Sequence, residues 1–321
     1  MKSWCDVSLL TMTLAGPVTV TGTWSIIAID KQTNQIGSAV ATCLDSDFYP
    51  ENAREFLEHG FSAVPYRGGI VAQANIQDDS GPSATVGLPL LREGHSAQTV
   101  VSGMTNKEAD PEIETYEINN GQKLEYPIYE LRQYGVVTYN ETSPVLGYTG
   151  SKLTPLYRAF GFEETEETSL WSVTENYTVS VQGNLVFPGT VKATLVAFEE
   201  SQNTDDFAER LFGALKEGYI ATGGDVRCAY NPELKGTLLS FLKVMEEDGT
   251  YSVDLEESFG MSQEKSALDS IEADLMARRK DKASSTTPPS SEPTSVGTIT
   301  SWSGNSIVAV LLSLLTCCYY L

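Results

Sequence analysis

Residues 24–30 and 36–42 are two runs crowded with β-branched and small apolar side chains, separated by the polar stretch 31–35. That spacing predicts a β-hairpin at the front of the folded chain. A second pair of strands, 61–65 and 70–76, flanks Arg67-Gly68-Gly69, and a third, 134–139 and 144–148, closes around Asn140. Residues 51–58 read as a helix terminated by His59 and Gly60, a basic side chain and a breaker. A helix over 88–93 ends at Gly94, and Ser96 caps the next, 97–104. Residues 190–200 are helical in pattern. Over 206–219 the residues Phe207, Leu211, Leu215 and Tyr219 recur on one face, with Asp205 as the cap. Late strands follow at 237–244 and 251–255. A terminal helix over 261–279 carries Leu268, Ile271 and Leu275 on one stripe. Two acidic stretches, 106–130 and 163–175, lack a period and read as irregular insertions. Strand blocks alternating with helix pairs predict a layered α+β sandwich, one domain over residues 23–282.

The two ends depart from this pattern. Lys2, an apolar run over 7–16, Pro17 and then small residues form the layout of a secretory signal peptide over residues 1–22. A cut after Gly22 leaves Thr23 as the first residue; a rival cut after Ala15 leaves a stub ahead of it. Residues 283–306 are dominated by Ser, Thr, Pro and Gly, a composition that reads as a solvated stalk. Residues 307–321 are apolar to the last position, without a basic residue after them. A helix of that length reaches about 23 Å, short of the ~30 Å hydrocarbon core. The tail therefore reads first as a GPI-attachment signal, with Ser291 and Ser295 among the attachment candidates, and second as a membrane anchor. The location expected is the secretory pathway and the cell surface, with the membrane engaged through the tail or a lipid. Asn140 and Asn176 begin N-glycosylation sequons.

Composition removes several function classes. The 321 residues hold 21 basic and 43 acidic side chains, a net charge of −22, which repels phosphate backbones and argues against a nucleic-acid partner. Two histidines and no Cys-x-x-Cys spacing argue against a metal site, and no cofactor is called for. No Gly-Lys-Ser/Thr phosphate loop is present, and neither His59 nor His95 has the company a Ser–His–Asp triad needs. Cys5, Cys317 and Cys318 lie in the two end segments. Cys43 and Cys228 remain, either as a disulfide in an oxidising compartment or as buried thiols.

One family is resembled from Thr23 to Val244. The residues that carry it are Thr23-Trp24-Ser25-Ile26-Ile27-Ala28-Ile29-Asp30 and Gly37-Ser38-Ala39-Val40-Ala41-Thr42-Cys43. Gly81-Pro82 and Leu90-Leu91-Arg92-Glu93-Gly94-His95-Ser96-Ala97 follow. Then come Arg132-Gln133-Tyr134-Gly135-Val136-Val137 and Tyr148-Thr149-Gly150. The most specific are Val181-Gln182-Gly183-Asn184-Leu185 and the run from Phe207-Ala208-Glu209-Arg210-Leu211 to Gly223-Gly224-Asp225-Val226-Arg227. In these stretches the chain resembles domain-of-unknown-function family 1028, whose fold is placed with the N-terminal-nucleophile (Ntn) hydrolases. The resemblance implies a four-layer αββα sandwich with two central antiparallel sheets, and no known substrate. The chain departs from the family after Arg227. There Cys228-Ala229-Tyr230-Asn231-Pro232-Glu233-Leu234-Lys235-Gly236-Thr237 replaces a Gly followed by a Gln-Ser pair.

The chemistry that this fold invites centres on Thr23. An N-terminal threonine attacks a carbonyl with its hydroxyl while its own α-amine takes the proton, provided that nothing is bonded to the amine. Asn184, after Gly183, is the candidate oxyanion donor. Asp225 is the third candidate catalytic residue, to orient the amine. Arg227 is a fork for a substrate carboxylate, and Gln73 is a further polar donor. Each also has a purely structural reading: a strand start for Thr23, turn geometry for Asn184, a loop-pinning ion pair for Asp225 and Arg227. The sequence thus supports a secreted, surface-anchored Ntn-type amidohydrolase acting on the amide or ester of a small molecule or peptide. The alternative is a catalytically silent ligand- or partner-binding module of the same fold; a structural coat protein is a third.

Overall fold

The structure is a computed structural model that describes residues 22–285 apart from 48, 75–78, 119–120, 203, 205, 231–235 and 261–265. The expected signal segment, all but the start of the stalk, and the C-terminal tail lie outside the described residues. Residues 1–280 form one unit, and only residues 281–285 of the second are described. Among the described residues no helix is long and apolar enough to cross a membrane.

The chain begins with β1 (Thr23–Asp30), β2 (Gln35–Thr42), α1 (Pro50–His59), β3 (Phe61–Val64) and β4 (Gly68–Gln73). A π-helical turn, Ser83–Gly87, leads into α2 (Leu88–Arg92) and α3 (Ala97–Met104). Next are β5 (Ile113–Glu117), β6 (Lys123–Pro127), β7 (Gln133–Thr138), β8 (Val145–Thr149) and α4 (Leu153–Ala159). The chain continues with β9 (Glu166–Val173), β10 (Tyr177–Val186), α5 (Thr190–Glu200), α6 (Phe207–Thr222) and α7 (Val226–Tyr230). It closes with β11 (Leu239–Met245), β12 (Tyr251–Ser258) and α8 (Ala267–Ser285).

This is a mixed α/β fold with antiparallel sheets. One sheet has the order β12-β11-β2-β1-β10-β9, a second β3-β4-β7-β8, and β5 with β6 forms a separate hairpin. Thus 106–130 is not merely irregular, because it contains that hairpin. Nor is 163–175, which supplies the edge strand β9. An edge strand keeps one side in water and tolerates acidic residues that a central strand would not. β10 is buried along all ten residues, with Thr178, Ser180, Gln182 and Asn184 alternating with Tyr177, Val179 and Val181. This strand, whose polar face is buried rather than solvated, was not predicted from the sequence.

The pleat of β1 explains the packing, because alternate side chains leave opposite faces. Trp24, Ile26 and Ala28 pack with Val191 and Phe198 of α5, Leu211 and Leu215 of α6, and Leu268 and Ile271 of α8. Ile27 and Ile29 point the other way, toward Val71 of β4 and Val137 of β7. The far face of that second sheet, with Ile70, Ala72 and Val136, is covered by Leu91 of α2 and Val100, Val101 and Met104 of α3.

Local chemistry sets the ends of the helices. The cap of α6 is Asp206, one residue later than expected; its carboxylate accepts from the backbone N–H groups of Ala208 (3.0 Å) and Glu209 (3.2 Å). The helix ends at Gly223, whose φ of 98° is open to glycine. The last helix is described from Ala267, residues 261–265 of the expected helix lying outside the described residues, and it buries the expected stripe of Leu268, Ile271 and Leu275.

Tyr139 packs at the edge of the inter-sheet cluster with its hydroxyl buried and, among the described residues, unpaired. Burial raises it from its ordinary value of 10.0 to about 12, and Tyr148 likewise to about 12. Both phenols are held neutral in the fold, so the unfolded chain ionises first. Their stabilisation is complete below pH 10.0 and is lost as pH rises toward 12. Tyr139→Phe removes a buried unpaired hydroxyl, so at pH 7 thermal melts should show unchanged stability or a gain of up to about 1 kcal/mol. Melts at alkaline pH should show a smaller loss than the parent. A lowered midpoint at pH 7 would contradict the assignment.

Candidate active site

The inner face of β1 changes character along its length. Ile27 and Ile29 lie in the apolar inter-sheet cluster, but Thr23 and Ser25, on the same face and fully buried, are polar. Register places Thr23 opposite Asn184 of β10 and opposite Thr42 of β2. The carbonyl of Thr23 accepts from Gln73 Nε2 at the end of β4 (3.2 Å). Gln73 also donates to Gln133 Oε1, and the same oxygen accepts from Asn184 Nδ2 at 2.9 Å. Gln133 Nε2 reaches the Gly183 carbonyl at 2.9 Å and Thr149 Oγ1 at 2.8 Å. Asn184 Oδ1 accepts from the Tyr157 hydroxyl of α4 at 2.9 Å. Ser25 donates to Gln182 Oε1 at 3.0 Å, extending the network along β10.

Within this network Thr23 Oγ1 is buried and, among the described residues, has no hydrogen-bond partner, and the same holds for Gln73 Oε1. Buried polar atoms are normally paired, so an unpaired one in the middle of a hydrogen-bond network is unusual. Tyr157 packs with Leu153, Leu156, Phe160, Tyr116 and Leu185, an apolar cap over this end of the sheets. Burial raises the Tyr157 phenol well above its ordinary value, which keeps it a neutral donor to Asn184.

The other side of Thr23 is built from charge. The Gly22 carbonyl, next to the Thr23 nitrogen, accepts from Thr42 Oγ1 (2.5 Å) and Arg227 Nη2 (2.8 Å). Arg227 is fixed by Asp225, with Nη2 2.6 Å from Oδ2 and Nε 3.1 Å from Oδ1. Asp225 is fully buried and also accepts the backbone N–H groups of Cys43 and Arg227, each at 2.9 Å. A Cβ at Gly22 would stand 2.9 Å from Asp225 Oδ1 and from Leu185 Cβ, so the residue is held to glycine by space. Gly224 has φ 69° and lies against the Trp24 ring, where a Cβ would approach within 2.6 Å. Cys43 and Cys228 are joined as a disulfide, with Cα atoms 5.6 Å apart.

All five residues expected at the site, Thr23, Asn184, Asp225, Arg227 and Gln73, therefore meet around one strand end. The donors on the Gly22 carbonyl are Arg227 and Thr42, while the Asn184 amide is engaged by Gln133 and Tyr157. Sequence reasoning missed Gln133, Thr42 and Tyr157. A glutamine opening an otherwise apolar strand was the available signal for Gln133; Tyr157 carried none. The two histidines sit elsewhere. His59 faces Glu58 (3.7 Å) and Asp79 (3.4 Å), and His95 faces Glu93 (3.0 Å). Of the sequon residues, Asn140 donates to the Gly94 carbonyl (3.2 Å), and Asn176 Oδ1 accepts from Gln32 (3.0 Å). Among the described residues no group of His, Cys, Asp or Glu is arranged to hold a metal ion.

The fold recurs among known proteins. The chain belongs to the family of unknown function DUF1028, whose family model matches residues 23–256. It is similar in structure to the crystal structure of protein SPO2555 from Silicibacter pomeroyi, also a DUF1028 match. The TM-score is 0.51 at 17% sequence identity, over 84% of this chain and 91% of that one. No curated protein matches the chain.

Through one side chain Gln133 bonds to β4, β8, β9 and β10. Gln133→Leu strands the amides of Gln73 and Asn184 without their shared acceptor and should cost about 2–3 kcal/mol in urea unfolding. A loss below about 0.5 kcal/mol, the level of an ordinary surface change, would show that the network does not depend on it.

Proposed function

We propose that the protein is an N-terminal-nucleophile amidohydrolase in which Thr23, freed of the residues before it, attacks the amide or ester of a small molecule or peptide. The observation that carries this reading is the junction at Gly22–Thr23. There a buried, unpartnered hydroxyl stands beside a carbonyl whose oxygen already has two donors. The family match begins at the same residue. The layer order supports the reading as well, with α5 and α6 against one sheet, the second sheet behind it, and α2 and α3 outermost. We read this as the αββα sandwich of Ntn hydrolases.

The residues divide the work as follows. With Gly22 removed, the Thr23 α-amine, of reference pKa about 7.7–8.0, takes the Oγ1 proton as Oγ1 bonds to the substrate carbonyl carbon. The Arg227 guanidinium and the Thr42 hydroxyl, which hold the Gly22 oxygen, are left to receive the negative charge that develops on the substrate oxygen. The α-ammonium returns its proton to the departing amine or alcohol. Water then attacks the ester on Thr23, giving up its proton to the amine and restoring the hydroxyl. Asp225 keeps Arg227 in position, and Gln73 holds the Thr23 carbonyl. The network through Gln133, Asn184 and Tyr157 fixes the strand ends.

Removal of residues 1–22 by signal cleavage supplies the free amine in this reading and sends the protein to the secretory pathway. The stalk and tail then hold it at the cell surface, by GPI or by the tail itself, with glycans at Asn140 and Asn176. A silent binding module of the same fold is the second reading, favoured by the complete burial of Thr23 in the chain that retains Gly22.

Mass spectrometry of the protein from its native cells should find Thr23 as the first residue; a chain starting at Gly16 overturns the enzyme. On the processed form, a β-lactone probe should label Thr23. Labelling should rise with pH to half its maximum near about 8, as the α-ammonium loses its proton, and vanish in Thr23→Ala. Labelling that survives that substitution assigns the nucleophile elsewhere.

A further inference from the structure

The two donors on the Gly22 carbonyl are far apart in the chain, and each is followed directly by a cysteine. Thr42 precedes Cys43 at the end of β2, and Arg227 precedes Cys228 in α7. The disulfide between these cysteines spans 185 residues. Helix α7 spans five residues, with Val226 buried in the apolar cluster of Leu153, Leu156 and Tyr157, and among the described residues the two cysteines form a small apolar cluster with Leu238. The second tie is electrostatic. Asp225 Oδ2 takes both the Cys43 backbone N–H (2.9 Å) and Arg227 Nη2 (2.6 Å). Arg227 Nη2 in turn lies 3.3 Å from Thr42 Oγ1. The crosslink therefore brackets the same pair of donors that the carboxylate aligns.

We propose that the Cys43–Cys228 disulfide is a positioning element for the Thr42–Arg227 pair, so that the carbonyl site is assembled in the oxidised protein and taken apart by a dithiol reductant. The proposal rests on reading the Gly22 oxygen position as the place where a substrate carbonyl is held. In the exchange, one thiolate of the dithiol attacks a protein sulfur to give a mixed disulfide, and its second thiolate displaces the other. Two electrons and two protons pass to the protein, which gains two thiols, and the dithiol leaves as its cyclic disulfide. Both cysteines are buried, at 7% and 5% exposure, so exchange proceeds through local opening of α7 and not from the closed state. A crosslink that acted only through the unfolded chain would stabilise the whole domain evenly. One that positions α7 has a local signature.

The test compares the oxidised processed protein, the same protein reduced with dithiothreitol, and the Cys43→Ser/Cys228→Ser double variant, by hydrogen exchange with mass spectrometry. The expected result is exchange at least about tenfold faster in peptides covering 40–44 and 224–229, with β7 and α6 unchanged. In parallel, β-lactone labelling of Thr23 should slow by about tenfold on reduction and return on reoxidation with oxidised glutathione, as expected when donors to the developing charge are displaced. Unchanged exchange at both segments overturns the proposal, and so does equal acceleration throughout β7 and α6. Should the double variant fail to fold, the reduced parent decides. If Thr23 is unlabelled even in the oxidised protein, the hydrolase reading falls, and the exchange pattern still decides the role of the disulfide.

Discussion

Three side-chain amides, those of Gln73, Gln133 and Asn184, are shut between two sheets where water cannot reach them. An amide so placed costs free energy unless its oxygen and nitrogen find partners, and only the other strands can provide them. The strand ends carrying these residues are therefore obliged to meet in one arrangement. The same layer is apolar further along, where Ile27, Ile29, Val71 and Val137 pack without directional demands. One half of the interface thus supplies adhesion through area removed from water, and the other supplies registration. Thr23 falls in the half where position is specified.

On its other flank the site depends on one buried charge. Asp225 has no exposure to solvent, and a carboxylate in that condition is tolerated when it is paired and hydrogen-bonded. Arg227 and two backbone N–H groups meet that need, and the geometry leaves Arg227 Nη2 beside the Gly22 oxygen. A chain of net charge −22 thereby keeps a cation against the Gly22 carbonyl. Replacing Arg227 by Lys would keep the charge but not the two-point contact with Asp225, because an ammonium lacks the planar fork.

Much of this was legible in the chain, for physical reasons that differ by element. The hairpin of β1 and β2, the hairpin-like pair β7 and β8, and helices α5 and α6 announce themselves through period and caps. β10 was not identified, although Thr178, Ser180, Gln182 and Asn184 alternate with Tyr177, Val179 and Val181; its polar face is turned into the protein rather than to solvent. β9 was hidden by its acidic residues, which an edge strand can carry. The five candidate residues lie around one strand end, yet their bonding was beyond reach. Whether Asn184 turns to a substrate or to Gln133 depends on a side chain contributed 51 residues away. Tyr157 lies in α4, a short helix that no pattern marked, and it enters the site only because that helix caps the sheet ends.

The position of β1 at the centre of its sheet also sets a timetable. The first strand of the domain pairs with β2 at once, but its other edge waits for β10; Ser25 and its partner Gln182 are 157 residues apart. At a synthesis rate of about 5–20 residues per second, that separation amounts to roughly 10–30 s during which one edge of the strand stays unpaired. Contacts this distant along the chain also slow folding once synthesis ends. If the proposed cleavage before Thr23 takes place, a protease would reach the Gly22–Thr23 bond most readily in that interval, before both neighbouring strands pair with β1. In that reading the order in which the strands are synthesised, more than any surface loop, sets when the bond is buried.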